Sequence, residues 1–417
     1  MVRFASKVTF GAESADWQER INTERMRQYR VERAQKIMRK HGIASMLEAT
    51  TAHIRYLTGL RGYDFPMVRY VLFFAEGDPV MFEHDGWYHQ MPDQAPWIKE
   101  WRPARAWLTG APGPDACRYE AKLFAADVRA ELERRGLVGE KLGLGGFDGI
   151  AREALINAGI KNIVDCRAAM LEARCIKNQD EINCLKISSA IVEGVWHRVW
   201  EFLRPGVRDI EIGTEAVAAG YQLGAELAVT GGWRTGPSTF DRGFHQATRL
   251  VQTGDLVYGS LCGLAYMGYR TCNYRTFIVG REPNQKEKDW YKKVLDRVTA
   301  IIEEIKPGKT TADAAKHFPP ASTWGYKDEC EVLCSEIGHG IGMSGPGGNY
   351  DIPIINRQWS LEFPQPFEEG MTIAIECREG EHRVGGVRLE NMVIVTKDGA
   401  EIFDHFPRDE ILVAPRR

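Results

Sequence analysis

Two apolar stretches near the end of the chain decide its fold: EGMTIAIE at residues 369–376 and RLENMVIVT at residues 388–396. Their short apolar and β-branched runs predict two strands of an antiparallel sheet. Each run also contains a carboxylate, Glu376 in the first and Glu390 in the second. Because burying an unpaired charge is expensive, two such glutamates need an explanation.

Two explanations are open. Either glutamate taken alone favours the ordinary one, in which the carboxylate lies on a solvated face or pairs with Arg378 or Arg388. Both glutamates occur, however, in a chain that also contains GHGIG at residues 338–342. Glycines on both sides of His339 let the backbone approach closely, and we expect them to leave the imidazole accessible. The combination favours a functional site.

Two further strands are predicted upstream, at residues 256–262 and 269–279. Side chains alternate between the faces of a strand, so every second residue shares a face. The side chains predicted to share one face of each strand are Tyr258, Ser260 and Cys262, and then Arg270, Cys272 and Tyr274. A second candidate histidine, His245, follows a glycine-containing loop just before these strands.

Helix signals frame these strands. Asn178 precedes Glu181 by three residues, which is the spacing of a capping box and predicts the start of a long helix. Helical periodicity also predicts helices over residues 24–41 and 285–305.

The pattern of elements changes along the chain. Up to about residue 170 helices and strands alternate, which predicts an α/β unit. The second half combines long helices with an antiparallel sheet, which predicts an α+β unit. We therefore expect two domains, at residues 1–175 and 176–417.

Composition narrows the functional classes. The chain has 417 residues, with 54 Lys and Arg against 57 Asp and Glu, so its formal charge is −3. This balance argues against a nucleic-acid or anionic-membrane binder, and no apolar run approaches the roughly 20 residues of a spanning helix. Nine cysteines, an odd number, without a secretion signal predict free thiols in a reducing cytoplasm.

Taken in order, these motifs resemble the superfamily of creatinase, prolidase and methionine aminopeptidase. The matching segments are IRYLTG (54–59), RCIKNQDEI (174–182), GDLV (254–257), GY (268–269) with RTF (275–277), GHGIG (338–342) and the two stretches quoted first. The resemblance implies a pita-bread catalytic domain after an N-terminal α/β creatinase-like domain. It also implies a homodimer, since an N-terminal arm in this family often reaches the site of the partner subunit.

The chain departs from the family at the metal site. Metallopeptidases of the family bind metal through two Asp, one His and two Glu. His339, Glu376 and Glu390 match the His and both Glu, but Ser260 and Cys272 stand where the two Asp are expected. Without these bridging oxygen ligands we expect neither a metal ion nor another cofactor, although Cys272 and His339 could still hold a single Zn²⁺.

Creatinase has lost the same two aspartates and works without metal. The resemblance therefore implies a metal-independent hydrolase that cleaves a C–N bond of a small amidino, ureido or amide substrate. His245 would act as the general acid and base, and His339 would assist proton transfer. Glu376 and Glu390 would hold a cationic group of the substrate.

The predicted substrate pocket combines residues from both halves of the chain. Arg69 would bind a substrate carboxylate in bidentate fashion, and aromatic residues nearby would wall the pocket. The residues assigned to substrate binding are Tyr63, Phe65, Arg69, Ser260, Cys272 and Tyr274.

Three alternatives remain. The Ser260–Cys272 spacing also resembles dimethylsulfoniopropionate lyases, which implies β-elimination from a small zwitterion, with Glu376, Glu390 or a Cys272 thiolate as base. That branch keeps its metal-binding aspartates. A catalytically inactive binding protein ranks third, and a metal-dependent Xaa-Pro peptidase ranks last.

Overall fold

The computed structural model describes residues 2–5, 21–61, 68–107, 110–240, 248–332, 336–343 and 351–414. These residues form two compact units. Thr23–Arg174 form the N-terminal unit; the described residues from 175 onward form the C-terminal unit, together with residues 2–5 and 21–22. We retain the division into independent domains at residue 175 as a proposal.

The described chain begins with β1 (Arg3–Phe4), a strand of the C-terminal unit, and then enters the N-terminal unit. The helices that follow are α1 (Thr23–His41), α2 (Thr51–Thr58), α3 (Met91–Gln94), α4 (Pro114–Arg134), α5 (Gly149–Asn157) and α6 (Arg167–Cys175), with a 3-10 helix at Asp85–His89. The strands are β2 (Ser45–Glu48), β3 (Tyr70–Phe74), β4 (Val80–Glu83), β5 (Glu100–Pro103), β6 (Leu142–Gly145) and β7 (Ile163–Asp165).

The N-terminal unit is built on one six-stranded sheet in the order β5-β4-β3-β2-β6-β7. The pairs on either side of β3 are antiparallel, and the outer pairs are parallel. Helix α4 buries Phe124 and Val128 in a core with Leu72 and Phe74 of β3. The predicted α/β character is confirmed, as is the helix predicted over residues 24–41.

The C-terminal unit contains the remaining elements. Its helices are α7 (Gln179–Phe202), α8 (Asp209–Gln222), α9 (Gln285–Glu304), α10 (Thr311–Ala315) and α11 (Arg357–Ser360), with 3-10 helices at Gly236–Thr239, Ala321–Trp324 and Glu329–Glu331. Its strands after β1 are β8 (Arg234–Thr235), β9 (Leu256–Ser260), β10 (Ala265–Tyr266), β11 (Tyr269–Arg270), β12 (Tyr274–Ile278), β13 (Glu336–Gly340), β14 (Asp351–Asn356), β15 (Thr372–Glu381), β16 (Gly385–Thr396), β17 (Gly399–Ile402) and β18 (Leu412–Val413).

Helix α7 begins with the predicted capping box. The Glu181 amide donates to the Asn178 side chain and the Asn178 amide donates to the Glu181 carboxylate, both at 2.9 Å. These two bonds satisfy amides that would otherwise lack partners in the first turn. No helix among the described residues is both long and apolar enough to cross a membrane.

Two larger sheets organise the C-terminal unit, beside a two-stranded sheet of β10 and β11. A six-stranded sheet has the order β1-β17-β16-β15-β13-β14, and a four-stranded sheet has the order β18-β12-β9-β8. Helix α9 covers the first sheet with Val294, Val298 and Ile301, whereas Trp196 of α7 and Trp233 form the core on the second. The predicted combination of long helices with an antiparallel sheet is confirmed.

The strand predicted over residues 269–279 is broken into β11 and β12. At the break the Thr271 hydroxyl donates to the carbonyls of Leu261 and Leu264, and the Asn273 amide donates to the carbonyl of Glu390. These side-chain bonds to backbone interrupt the regular strand at the break, although the Leu261 amide still donates to the Asn273 carbonyl.

A buried ion pair joins the two sheets of the C-terminal unit. Arg275 of β12 donates to Asp404 at 2.7 Å, and the two side chains are 1% and 2% exposed. The same guanidinium donates to the backbone carbonyl of Glu390 on β16 at 2.6 Å. Asp404 also accepts hydrogen bonds from Asn273 and Asn391. The position of Glu390 is therefore fixed by this network.

Replacing one charge of this pair should destabilise the C-terminal unit strongly. Asp404→Asn leaves Arg275 buried opposite a neutral amide, and we expect a loss of about 3–5 kcal/mol in the free energy of unfolding. Thermal and urea unfolding of the purified chain would measure it.

Asp296→Asn is the matched control, since Asp296 pairs with Lys292 on the surface and both side chains are more than half exposed. We expect a change below about 0.5 kcal/mol there. Equal effects of the two substitutions would contradict the role given to Asp404.

Candidate functional site

Glu376 and Glu390 lie directly opposite each other on β15 and β16. They are 5% and 0% exposed, so the solvated-face explanation is wrong. Burial, followed by the negative charges of Glu376, Asp404 and Glu336, raises the pKa of Glu390 well above the ordinary glutamate value. This environment therefore favours the neutral form of Glu390 over the charged carboxylate.

His339 lies on β13, between β14 and β15. A Cβ on Gly340 would lie 2.5 Å from the Ile352 carbonyl oxygen, and one on Gly338 would lie 2.7 Å from the Ile375 side chain. The predicted close approach of the backbone is thus real. The imidazole, however, is only 3% exposed, so the expectation of an accessible ring is wrong.

The hydrogen bonds of His339 define its ring orientation. Nδ1 lies 3.0 Å from the carbonyl oxygen of Gly340, an acceptor, so this nitrogen carries the proton. Nε2 then presents its lone pair and lies 3.8 Å from Glu390 Oε1. A carbonyl that fixes the tautomer in this way is typical of metal-binding histidines.

Glu336 is a member of the site that sequence reasoning missed. One oxygen of Glu336, one ring nitrogen of His339 and one oxygen of Glu376 lie within 4.8 Å of one another. Strict alternation would place residues 336 and 339 on opposite faces of the strand. The pairing of β13 with β14 shifts register between Glu336 and Gly338, and this bulge brings both side chains together.

Cys262 and Cys272 form a disulfide beside Glu390. Both sulfur atoms and one oxygen of Glu390 lie within 4.8 Å of one another. The expectation that every cysteine is a free thiol is therefore wrong for this pair. Outside it, the free cysteines among the described residues are Cys117, Cys166, Cys175, Cys184, Cys330 and Cys377.

Tyr274 and Ser260 complete the wall of the site, because they are direct cross-strand neighbours on β12 and β9. Burial, followed by the charges of Glu376 and Glu390, raises the pKa of the Tyr274 phenol well above its ordinary value. Because of this raised pKa, the Tyr274 phenol keeps its proton at neutral pH. The guanidinium of Arg388 lies 4.8 Å from the ring centre of Tyr258 and 5.4 Å from that of Tyr274.

Four predicted site residues remain, namely Arg69, Tyr63, Phe65 and His245. Arg69 belongs to the N-terminal unit, where its buried guanidinium donates to Glu83 at 2.6 Å and to the Arg61 carbonyl at 2.6 Å. Tyr63, Phe65 and His245 lie outside the described residues. The roles assigned to these four residues stay predictions.

The residues of the cluster fit a divalent cation. Glu390 Oε1 is buried and has no hydrogen-bond partner within the described part of the chain. Three carboxylates and one imidazole nitrogen face this region, and they are ligand types common to zinc and manganese sites. A cation would offset the accumulated negative charge. Glu336, His339 and Glu376 form the set that could hold it.

Comparison with known proteins identifies the family. The profile of metallopeptidase family M24 matches residues 183–397, and that of the creatinase/prolidase N-terminal domain matches residues 30–176. The first match spans more than half of the chain, so this protein belongs to metallopeptidase family M24. The predicted superfamily and its pita-bread fold are confirmed.

Named relatives share part of the sequence. An uncharacterized peptidase of Bacillus subtilis, YqhT, is 28% identical over 258 residues, which are 60% of this chain and 68% of the relative. A Xaa-Pro dipeptidase of Pyrococcus horikoshii is 26% identical over 261 residues, 61% and 69% of the two chains.

Solved structures share the fold. The prolidase of Pyrococcus horikoshii superimposes with a TM-score of 0.72 at 22% identity, covering 92% of this chain and 99% of that one. The prolidase of Thermococcus sibiricus gives a TM-score of 0.75 at 20% identity, covering 96% and 100%.

The main functional expectation is wrong in consequence. A metal-independent, creatinase-like hydrolase of non-peptide C–N bonds is at odds with a metallopeptidase family whose relatives include Xaa-Pro dipeptidases. Ser260 and Cys272 remove two of the expected carboxylates. The bulge in β13 adds another, that of Glu336, which strand alternation does not predict.

The close packing around His339 predicts a sharp response to one added methyl group. Gly340→Ala would force its Cβ against the backbone of residues 351 and 352, and we expect a loss of about 1–3 kcal/mol in unfolding free energy. Urea unfolding would measure it.

Gly139→Ala is the control, because a Cβ there meets nothing within 4 Å. It should change stability by less than about 0.5 kcal/mol. A Gly340→Ala protein as stable as this control would show that β13 accommodates a methyl group at residue 340, which would contradict the prediction.

Proposed function

We propose that this protein is a metal-dependent peptidase that hydrolyses small peptides, with Xaa-Pro dipeptides as the first substrates to test. The observation that carries the proposal is the cluster of half-buried Glu336 with buried His339 and Glu376, beside Glu390. Family membership and the names of the relatives support the same reaction.

The cluster suits a single cation held by Glu336, His339 and Glu376. The ring orientation of His339 directs Nε2 away from the Gly340 carbonyl, and the strand pairing fixes the Glu376 backbone between β13 and β16. When bound, a divalent cation would polarise the carbonyl of the scissile bond and lower the pKa of a water molecule.

Tyr274 is placed to assist hydrolysis. Its protonated phenol lies near Ser260, Glu376 and Glu390, and it could donate a hydrogen bond to the oxyanion that forms during attack on the peptide carbonyl. We retain His245 as the proposed general acid and base. Its assay is the loss of turnover in His245→Ala.

Assembly and location complete the proposal. We propose a homodimer in the cytoplasm, on the grounds of the family resemblance and of the free thiols among the described residues. Sedimentation of the purified chain tests the first part, and cell fractionation tests the second.

Removing one carboxylate of the cluster should abolish peptidase activity. We expect Glu376→Gln to lower kcat/KM for Xaa-Pro dipeptides by at least about 100-fold and to reduce the bound metal below that of the parent. Amino-acid release and mass-spectrometric metal analysis of the same samples would measure both.

Glu381→Gln is the matched control on the same strand, since Glu381 pairs with Lys286 at the surface. It should stay within about twofold of the parent. Full activity after chelation and dialysis would overturn metal dependence, and an unsaturated acid as product would instead favour a lyase.

A further inference from the structure

We propose that Cys262 and Cys272, once their disulfide is reduced, bind a zinc ion together with Glu390, and that oxidation closes this site. The proposal goes beyond the peptidase activity, because a thiolate site can bind zinc whether or not the chain cleaves peptides. Its three ligands are distinct from the Glu336–His339–Glu376 set.

Strand geometry places the two cysteines together in either redox state. Ser260 pairs with Tyr274 across β9 and β12, and the Leu261 amide donates to the Asn273 carbonyl. Continuing this register by one step brings Cys262 opposite Cys272. The strands therefore hold both sulfur atoms close together without needing the covalent bond.

The buried carboxylate of Glu390 independently supports a bound cation beside the two cysteines. Its carboxylate is fully buried, and within the described chain Oε1 has no hydrogen-bond partner. Oε2 lies 3.6 Å from Cys262 Sγ. A disulfide sulfur has no hydrogen to donate, so the oxidised pair cannot satisfy this carboxylate. A cation held by the two thiolates would give the Glu390 carboxylate a binding partner.

The donor set selects the metal. Thiolate ligands favour zinc over magnesium, calcium or manganese, whereas the all-carboxylate-and-imidazole set beside it discriminates less. Two thiolates and one carboxylate provide three of the four ligands of a tetrahedral zinc site, and water would be the fourth.

The redox step balances with a dithiol reductant. Its thiolate attacks Cys262, the more exposed of the two residues, and Cys272 leaves as a thiolate. The second thiol of the reductant then closes its own disulfide and releases Cys262. Two electrons pass from reductant to protein, and two S–H groups form. Zinc binding later displaces their two protons into solvent.

The test compares zinc content of the full chain in its two redox states. Metal-stripped protein, either reduced with dithiothreitol or oxidised with a disulfide reagent, is incubated with zinc, desalted and measured by mass spectrometry. We expect the reduced form to retain about one more zinc ion per chain than the oxidised form. Cobalt substitution should give a thiolate charge-transfer band in the reduced form alone.

Variants assign the difference to this pair. Cys262→Ser with Cys272→Ser should abolish the redox-dependent increment, whereas Cys330→Ser, at an exposed free thiol, should keep it. Equal zinc in both redox states of the parent, or an increment that survives the double substitution, would overturn the proposal. Neither outcome depends on dipeptide hydrolysis. The zinc proposal and the proposed peptidase activity can therefore fail independently of each other.

Discussion

The ion pair between Arg275 and Asp404 holds together the part of the molecule on which its chemistry depends. It is buried between the two sheets of the C-terminal unit, where its attraction is little weakened by water. Through Arg275 and Asn273 the same network binds the carbonyl of Glu390. A site assembled from separate strands is thereby held in one arrangement.

That arrangement carries an electrostatic cost. Glu376 and Glu390 face each other on adjacent strands, and Glu336 adds a third carboxylate beside His339. Hydrophobic residues of α9 pack against the six-stranded sheet that carries them, with Val294, Val298 and Ile301 in the same core. Packing of this kind offsets the repulsion between the carboxylates, because burying apolar side chains against the sheet stabilises the folded state.

Much of this structure follows from local sequence signals. Three features could each be predicted from one motif and one physical rule. They are the capping box at Asn178, the strand pair bearing Glu376 and Glu390, and the glycines beside His339. Glu336 could not be found in the same way. Alternation is correct for a regular strand and fails at a bulge, and the bulge arises from pairing with β14, which is distant in sequence.

The disulfide was missed for a different reason. The spacing of Cys262 and Cys272 is visible in the sequence, but their pairing depends on the register of β9 against β12. That register follows from Ser260 opposite Tyr274, and the predicted strand had no break near Thr271. Without knowledge of these tertiary contacts, the odd number of cysteines favoured the prediction of free thiols.

The pairing of β1 with β17 has a consequence for how the chain is made. Arg3 lies beside Glu401, so almost the whole polypeptide separates two neighbouring residues. During synthesis β1 emerges long before β17 and cannot pair with it until β17 leaves the ribosome. Closing so long a loop is entropically slow. The pairing of β1 with β17 is therefore a late event in the assembly of that sheet.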